Sequence, residues 1–261
     1  MGILNTTPDS FSDGGKNYGV EDAVHAALGM ERAGVKIIDI GGESTRPGAP
    51  AVSEDDEIQR TVPVVRALRE KSDILISIDT SKAAVAAAAL EAGADIVNDV
   101  TGLTGDPEMI KLCAEARCGV VVMHMQGNPR TMQVDPQYDQ GVVQELQEFF
   151  AERLDTLAGA GIDPECISFD PGIGFGKTVQ QNITLIEHLA DLQKQQGRPI
   201  LLGVSRKSMI GVLTGIEVPQ DRDTATAVIT ALSFQRGIML HRVHNVKMNA
   251  QALTLADAIY S

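Results

Sequence analysis

Chemistry in this sequence is concentrated where short apolar runs stop at a polar or polarisable residue. Such runs end at Asn5, Asp39, Asp79, Asn98, Met123, Asp170, Ser205 followed by Lys207, and Arg242 followed by His244. Carboxylates and amides at these ends accept or exchange hydrogen bonds with a polar ring, and Arg, Lys and His bind anions. A single polar group at such an end is often a helix N-cap, and Asp79, standing before Thr80 and Ser81, is open to that reading. So many ends of this kind exceed what capping requires. If they face one cup, they offer acceptors near its floor and cations at its rim. That suits a flat heterocycle rich in N–H donors and carrying an anionic tail.

Two long loops, residues 6–15 and 41–50, are dense in Gly, Pro, Ser and Thr. A plain surface loop has the same composition. Arg46 between Thr45 and Pro47 points instead to a lid that brings one fixed cation to a site. After a buried run, Gly203 to Ser208 should open a short helix whose free N–H groups, hydroxyls and cations suit an anion. Two motifs fail. Gly176-Lys177-Thr178 lacks the upstream glycine of a P-loop, since Pro171 stands there. Gly172 to Gly176 misplaces the third glycine of a dinucleotide fingerprint. His124 and Glu43 lack the paired spacing of a transition-metal site.

The elements that would position these residues alternate. Apolar runs at 2–5, 35–41, 74–79, 96–99, 119–123, 167–170, 200–204 and 238–243 read as strands buried on both faces. Amphipathic stretches at 22–33, 53–71, 83–92, 107–117, 139–160, 179–195, 223–236 and 246–259 read as helices. Gly34 is a C-cap for the first, and Ser53 with Asp56 comes close to a capping box for the second. Eight strand–helix units within 261 residues favour a closed (β/α)8 barrel over an open sheet, as one domain spanning 1–261. In that fold the C-terminal strand ends share one face, which is the cup inferred above.

Composition narrows the partners. A formal net charge of −13 argues against nucleic acid and anionic membrane surfaces, and an anionic substrate would need its own local cations. No apolar run is long enough to span a membrane, and no signal-peptide pattern opens the chain. Three cysteines, Cys113, Cys118 and Cys166, read as free thiols of a reducing cytoplasm.

Several stretches resemble the dihydropteroate synthase family closely. They are residues 2–15, 38–48 with the Thr45-Arg46-Pro47-Gly48 run, Ser77 to Thr80, Asn98-Asp99, Met123 to Gly127, Asp170 to Lys177, Ser205 to Ser208, and Arg242 to His244. They fall in order along nearly the whole chain. The resemblance implies an enzyme that joins (7,8-dihydropterin-6-yl)methyl diphosphate to p-aminobenzoate, giving 7,8-dihydropteroate and pyrophosphate. It implies Mg²⁺ as cofactor and a homodimer. It places Asp79, Asn98, Met123, Asp170, Phe175 and Lys207 around the pterin. Asn5, Arg46, Arg242 and His244 fall on the pyrophosphate, with Asn5 also on the metal. Phe11, Thr45, Pro47 and Ser205 fall on p-aminobenzoate, where sulfonamides should compete. Asp79, Lys207 and Arg46 are the implied catalytic residues.

The departures are specific. Family members usually carry a segment before the first strand, whereas this chain opens in it; the expectation is an upstream start or a less covered barrel floor. Asn245 stands where an Asp is usual, which keeps a cap and removes a charge beside His244. His241 replaces an aliphatic residue and reads as a core or strand-edge histidine and not as a ligand. A methyltetrahydrofolate:corrinoid methyltransferase shares the Asp79, Asn98 and Asp170 pattern but has no use for the Thr45–Gly48 loop. A pterin-binding paralogue without catalysis is a further alternative.

Overall fold

The computed structural model describes residues 1–6, 16–44, 49–127 and 132–260. Its strands are β1 (Gly2–Asn5), β2 (Ile37–Gly41), β3 (Leu75–Asp79), β4 (Ile96–Asp99), β5 (Gly119–Met123), β6 (Ile167–Asp170), β7 (Leu201–Leu202) and β8 (Leu240–His241). The first six are parallel neighbours in chain order, and β7 pairs with β8. Two bridges join these sets into a ring. Phe169 pairs with Ile200, and Gly2 pairs with Val243. Ile3 N–H donates to Val243 O at 3.0 Å, closing β1 onto the segment after β8. The architecture is a (β/α)8 barrel.

The strands are short apolar runs because both faces are covered. Ile38, Ile40, Ile76, Ile78, Val97, Val122 and Phe169 are fully buried. The helices that cover them are α1 (Lys16–Arg32), α2 (Glu54–Arg69), α3 (Ala83–Glu91), α4 (Met109–Ala116), α5 (Val142–Gly159), α6 (Val179–Glu187), α7 (Leu189–Gln196), α8 (Ser208–Thr214), α9 (Asp223–Phe234) and α10 (Val246–Tyr260). Each buries one stripe: α2 buries Val64, Val65 and Leu68, and α5 buries Leu146, Phe150 and Leu157, as 3.6-residue periodicity requires. Ser53 caps α2 by accepting from Asp56 N–H, and Gly34 takes the positive φ, +97°, that releases the chain after α1.

Three expectations need correction. Helix α1 begins at Lys16 rather than 22. The single helix expected over 179–195 is two, broken at His188, whose φ of −104° and ψ of 14° leave the helical range. Leu185, Leu189 and Leu192, at i, i+4 and i+7, stay buried on one face across the bend. The last two strands are much shorter than the apolar runs that contain them, since only two residues in each keep ladder pairing.

Candidate active site

Register puts the key strand ends at one level. Asn5 pairs with Gly41, Gly41 with Asp79, and Asp79 with Asn98. Met123 pairs with Asp170 across β5 and β6. Asp39 lies two residues deeper on β2 and is fully buried. It is the anchor that the sequence reading left without a ligand role. Arg242 donates through Nε to Asp39 Oδ2 and through Nη2 to Asp79 Oδ2, each at 2.5 Å. Asn98 Nδ2 points to both oxygens of Asp39 at 3.3 Å. Thus Asp39, Asp79, Asn98 and Arg242 form one network from three strands and the residue that follows β8. Arg242 sits down among the acceptors, not at a separate rim.

The other side of the mouth holds Asp170, Lys207 and Phe175. Asp170 is buried and accepts from Gly172 N–H at 2.7 Å. Lys207 Nζ donates to Ile173 O and lies 4.3 Å from the centre of the Phe175 ring, a cation–π contact. Met123 is buried beside Asp170. Ser205 Oγ accepts from His244 N–H at 3.1 Å and lies 2.9 Å from His244 Nδ1. Phe11, Thr45, Arg46 and Pro47 lie outside the described residues.

Burial tunes these groups. It pushes the Asp79 carboxyl up to about 7; Arg242 pulls it back, while Asp39, Glu57 and Asp99 push it further up. Burial also raises the Asp170 carboxyl, against the pull of Lys207. Lys207 is lowered to about 8, first by burial, with Asp170 opposing and Arg242 assisting. Burial works against the Arg242 charge, but Asp39 and Asp79 outweigh it and hold the guanidinium firmly protonated. The site is therefore poised to exchange protons near neutrality although its ion pair is tight.

Two supporting lysines were not legible as such. Lys177, in the motif dismissed above, is buried and donates to His124 O, Gly172 O and Phe175 O at 3.3, 3.2 and 3.0 Å, with His124 Nδ1 at 3.0 Å. It ties the turn bearing Gly172 and Phe175 to the end of β5. Burial lowers it to about 7, with Lys207 adding to the effect. Lys82, at the start of α3, binds both Glu43 and Glu57 at 2.5 Å. Their signal in the sequence was only a lysine beside glycines and a lysine after a strand. Asn245 explains its departure from the family: Oδ1 caps α10 by accepting from Met248 N–H at 3.1 Å, while Nδ2 donates to Asp223 Oδ2 at 3.0 Å. His241 is buried, without a ring partner among the described residues, and burial lowers it to about 4, so it is a neutral core histidine.

A family model described as pterin binding enzyme matches residues 1–244. The dihydropteroate synthase of Synechocystis is 46% identical over 260 residues, covering 100% of this chain and 89% of the relative. The chain belongs to the dihydropteroate synthase family. A dihydropteroate synthase from Clostridium difficile, solved in the presence of pteroic acid, superposes with a TM-score of 0.93 at 42% identity, over 100% of this chain and 95% of that one. The Yersinia pestis dihydropteroate synthase, solved with a sulfonamide drug, gives 0.92 at 42% identity, over 99% and 93%. Dihydropteroate synthases are transferases of folate biosynthesis, and full-length similarity to them removes the support for the corrinoid methyltransferase alternative. Among the described residues no helix is long and apolar enough to cross a membrane, and no cluster of three or more His, Cys, Asp or Glu could hold a metal.

Proposed function

We propose that this chain condenses (7,8-dihydropterin-6-yl)methyl diphosphate with p-aminobenzoate, by departure of pyrophosphate before attack of the amine. The network of Asp39, Asp79, Asn98 and Arg242 carries the reading, because it puts acceptors for a pterin and a cation for its diphosphate within one hydrogen-bonded unit. Asp79, Asn98 and Asp170 engage the ring's amino and amide groups, and Lys207 donates to its carbonyl. Met123 and Phe175 cover the faces of the ring. Arg242 and His244, with Arg46 from the second loop, stabilise the negative charge that grows on the leaving group. As that bond breaks, the methylene carbon becomes cationic and the Asp79 carboxylate stabilises it. Phe11, Thr45, Pro47 and Ser205 form the aminobenzoate pocket, and the weakly basic amine attacks without a strong base.

The donor set fits Mg²⁺ carried by substrate. Asn5 is exposed at the mouth with one amide oxygen and, among the described residues, no cluster of carboxylates that could hold a metal, and this cation commonly takes one protein oxygen with phosphate oxygens and waters. Bound there, it supplies charge neutralisation on the diphosphate. Further parts of the proposal are cytoplasmic residence, supported by the free thiols, and a homodimer. For the latter, α9 and α10 pack together and expose Val228, Leu232, Leu255 and Ile259, an apolar stripe at i, i+4 spacing on each helix.

The test is single-turnover pyrophosphate release with and without p-aminobenzoate and Mg²⁺. Release without the amine, with dihydropteroate formed only in its presence, is expected. Release that requires the amine, with one-step displacement kinetics, overturns the order of events.

A further inference from the structure

The β2–α2 loop leaves the barrel at Gly41 and enters α2 at Glu54, and its two stems are tied together by one lysine from a different loop. Lys82 Nζ donates to Glu43 Oε2 at 2.5 Å on the first stem and to Val52 O at 2.9 Å on the second. Glu43 Oε1 in turn accepts from Val52 N–H at 3.2 Å, which completes a ring of contacts across the loop. The third donor of Lys82 goes to Glu57 Oε2 at 2.5 Å on the first turn of α2. Glu57 is buried, so this ammonium is anchored in the protein as well as bridging its surface. The first stem is fixed further by Arg60 Nη1, which donates to Gly42 O at 3.0 Å. Only glycine fits at 42, because a Cβ there would meet Thr61 Cγ2 at 2.8 Å and Glu57 Cγ at 2.9 Å.

Lys82 also belongs to the turn that follows Asp79. Its backbone N–H donates to Thr80 Oγ1 at 3.3 Å, and it is the residue before α3, where its side chain makes no capping bond. The side chain is therefore spent on the neighbouring loop and not on its own helix. An ordinary surface ion pair contributes little. This one differs in having a buried carboxylate, a backbone carbonyl and two charge-assisted contacts on one ammonium, all gathered at the base of one loop.

We propose that Lys82 is a positioning residue for the aminobenzoate pocket, holding the stems of the β2–α2 loop together and to the turn that bears Asp79. The inference rests on the reading above that this loop carries Thr45 and Pro47 of that pocket. Lys82 touches neither substrate. Its removal should therefore spare the pterin half of the reaction and weaken capture of the aryl amine.

Lys82→Met, Lys82→Arg and Glu43→Gln in the full chain test this by steady-state kinetics, sulfonamide inhibition and single-turnover pyrophosphate release. With Lys82→Met, the KM for p-aminobenzoate and the sulfonamide inhibition constant should rise together by about tenfold or more, while pterin KM and the rate of pyrophosphate release change less than about threefold. Lys82→Arg should recover most of the loss, since it keeps charge and several donors. Glu43→Gln keeps the Glu57 contact and should show the same selective defect more weakly, which decides the matter if Lys82→Met does not fold. An even loss across both substrates, or an unchanged KM for p-aminobenzoate, overturns the proposal. A wild-type chain that releases no pyrophosphate overturns the proposed function itself, whereas an active wild type with indifferent variants removes only the role of Lys82.

Discussion

At the scale of single residues, the site holds more buried carboxylate than cation, and Asp79 bears the consequence. Its folded value of about 7 lies above the ordinary 3.8. The fold therefore binds a proton there more tightly than the unfolded chain does, a contribution that is full below pH about 4 and lost as pH rises through about 7. Asp79→Asn mimics the protonated form. It should abolish turnover yet melt higher than wild type at pH 8, by up to about 4 kcal/mol less whatever the lost Arg242 contact was worth. Below pH about 4, where Asp79 is protonated in the folded and the unfolded chain alike, this advantage should vanish, and calorimetry at pH 4 and pH 8 checks this. The same groups shape activity. In the free enzyme, kcat/KM for the pterin substrate should rise through pH about 7 as Asp79 ionises and fall above about 8 as Lys207 loses its proton. Lys207→Arg should retain the acid limb and lose the alkaline one, because guanidinium does not titrate in this range.

Elements explain both what was legible and what was not. Strands β1 to β6 are apolar runs bounded by turns, and pattern alone located them with ends accurate to a residue or two. The strand ends that carry Asp79, Asn98 and Asp170 followed directly from that. Pairing across β7 and β8 was illegible, because apolar character records burial and not which residues keep ladder bonds. The break at His188 was hidden for a similar reason, since helical periodicity continues on both sides of a bend. Long-range polar partners were hidden altogether: Asp39 and Arg242 are 203 positions apart. The Lys177 tether is a case where a local motif misled. It resembles a phosphate loop, but the ammonium is spent on three carbonyls of its own fold. Lys177→Met would leave those carbonyls buried without a donor, at about 1–3 kcal/mol for each one that no water reaches. The expected result is a Tm lower by several degrees together with a raised pterin KM, because the turn bearing Phe175 and facing Lys207 is no longer held. Loss of stability with an unaltered pterin KM would limit the tether to folding. Asn245→Asp makes a cleaner contrast. It keeps the α10 cap, loses the donor to Asp223, and sets two carboxylates together beside the Arg206 ion pair. Stability should fall by about 1–2 kcal/mol, read as a lower denaturant midpoint, with kcat little changed.

For the whole molecule, closing the ring leaves no free sheet edge among the described strands through which such a chain could associate, so assembly must use other surfaces. A net charge of −13 repels a second copy at long range. Association therefore requires a face where apolar burial outweighs that repulsion. Helices α9 and α10 offer one, with Val228 and Leu232 on the first and Leu255 and Ile259 on the second all exposed. Self-association through one patch gives a two-fold, isologous contact that ends at the dimer. Because the opposing force is electrostatic and the favourable one is not, salt should tighten the dimer by screening like charge. Sedimentation of the wild type at micromolar concentration should show a dimer whose dissociation constant falls between about 10 and 150 mM salt. Leu232→Glu with Leu255→Glu places two charges in the stripe and should give a folded monomer. A monomeric wild type, or a dimer indifferent to both substitutions, would assign these side chains to the solvent and move the interface elsewhere on the barrel.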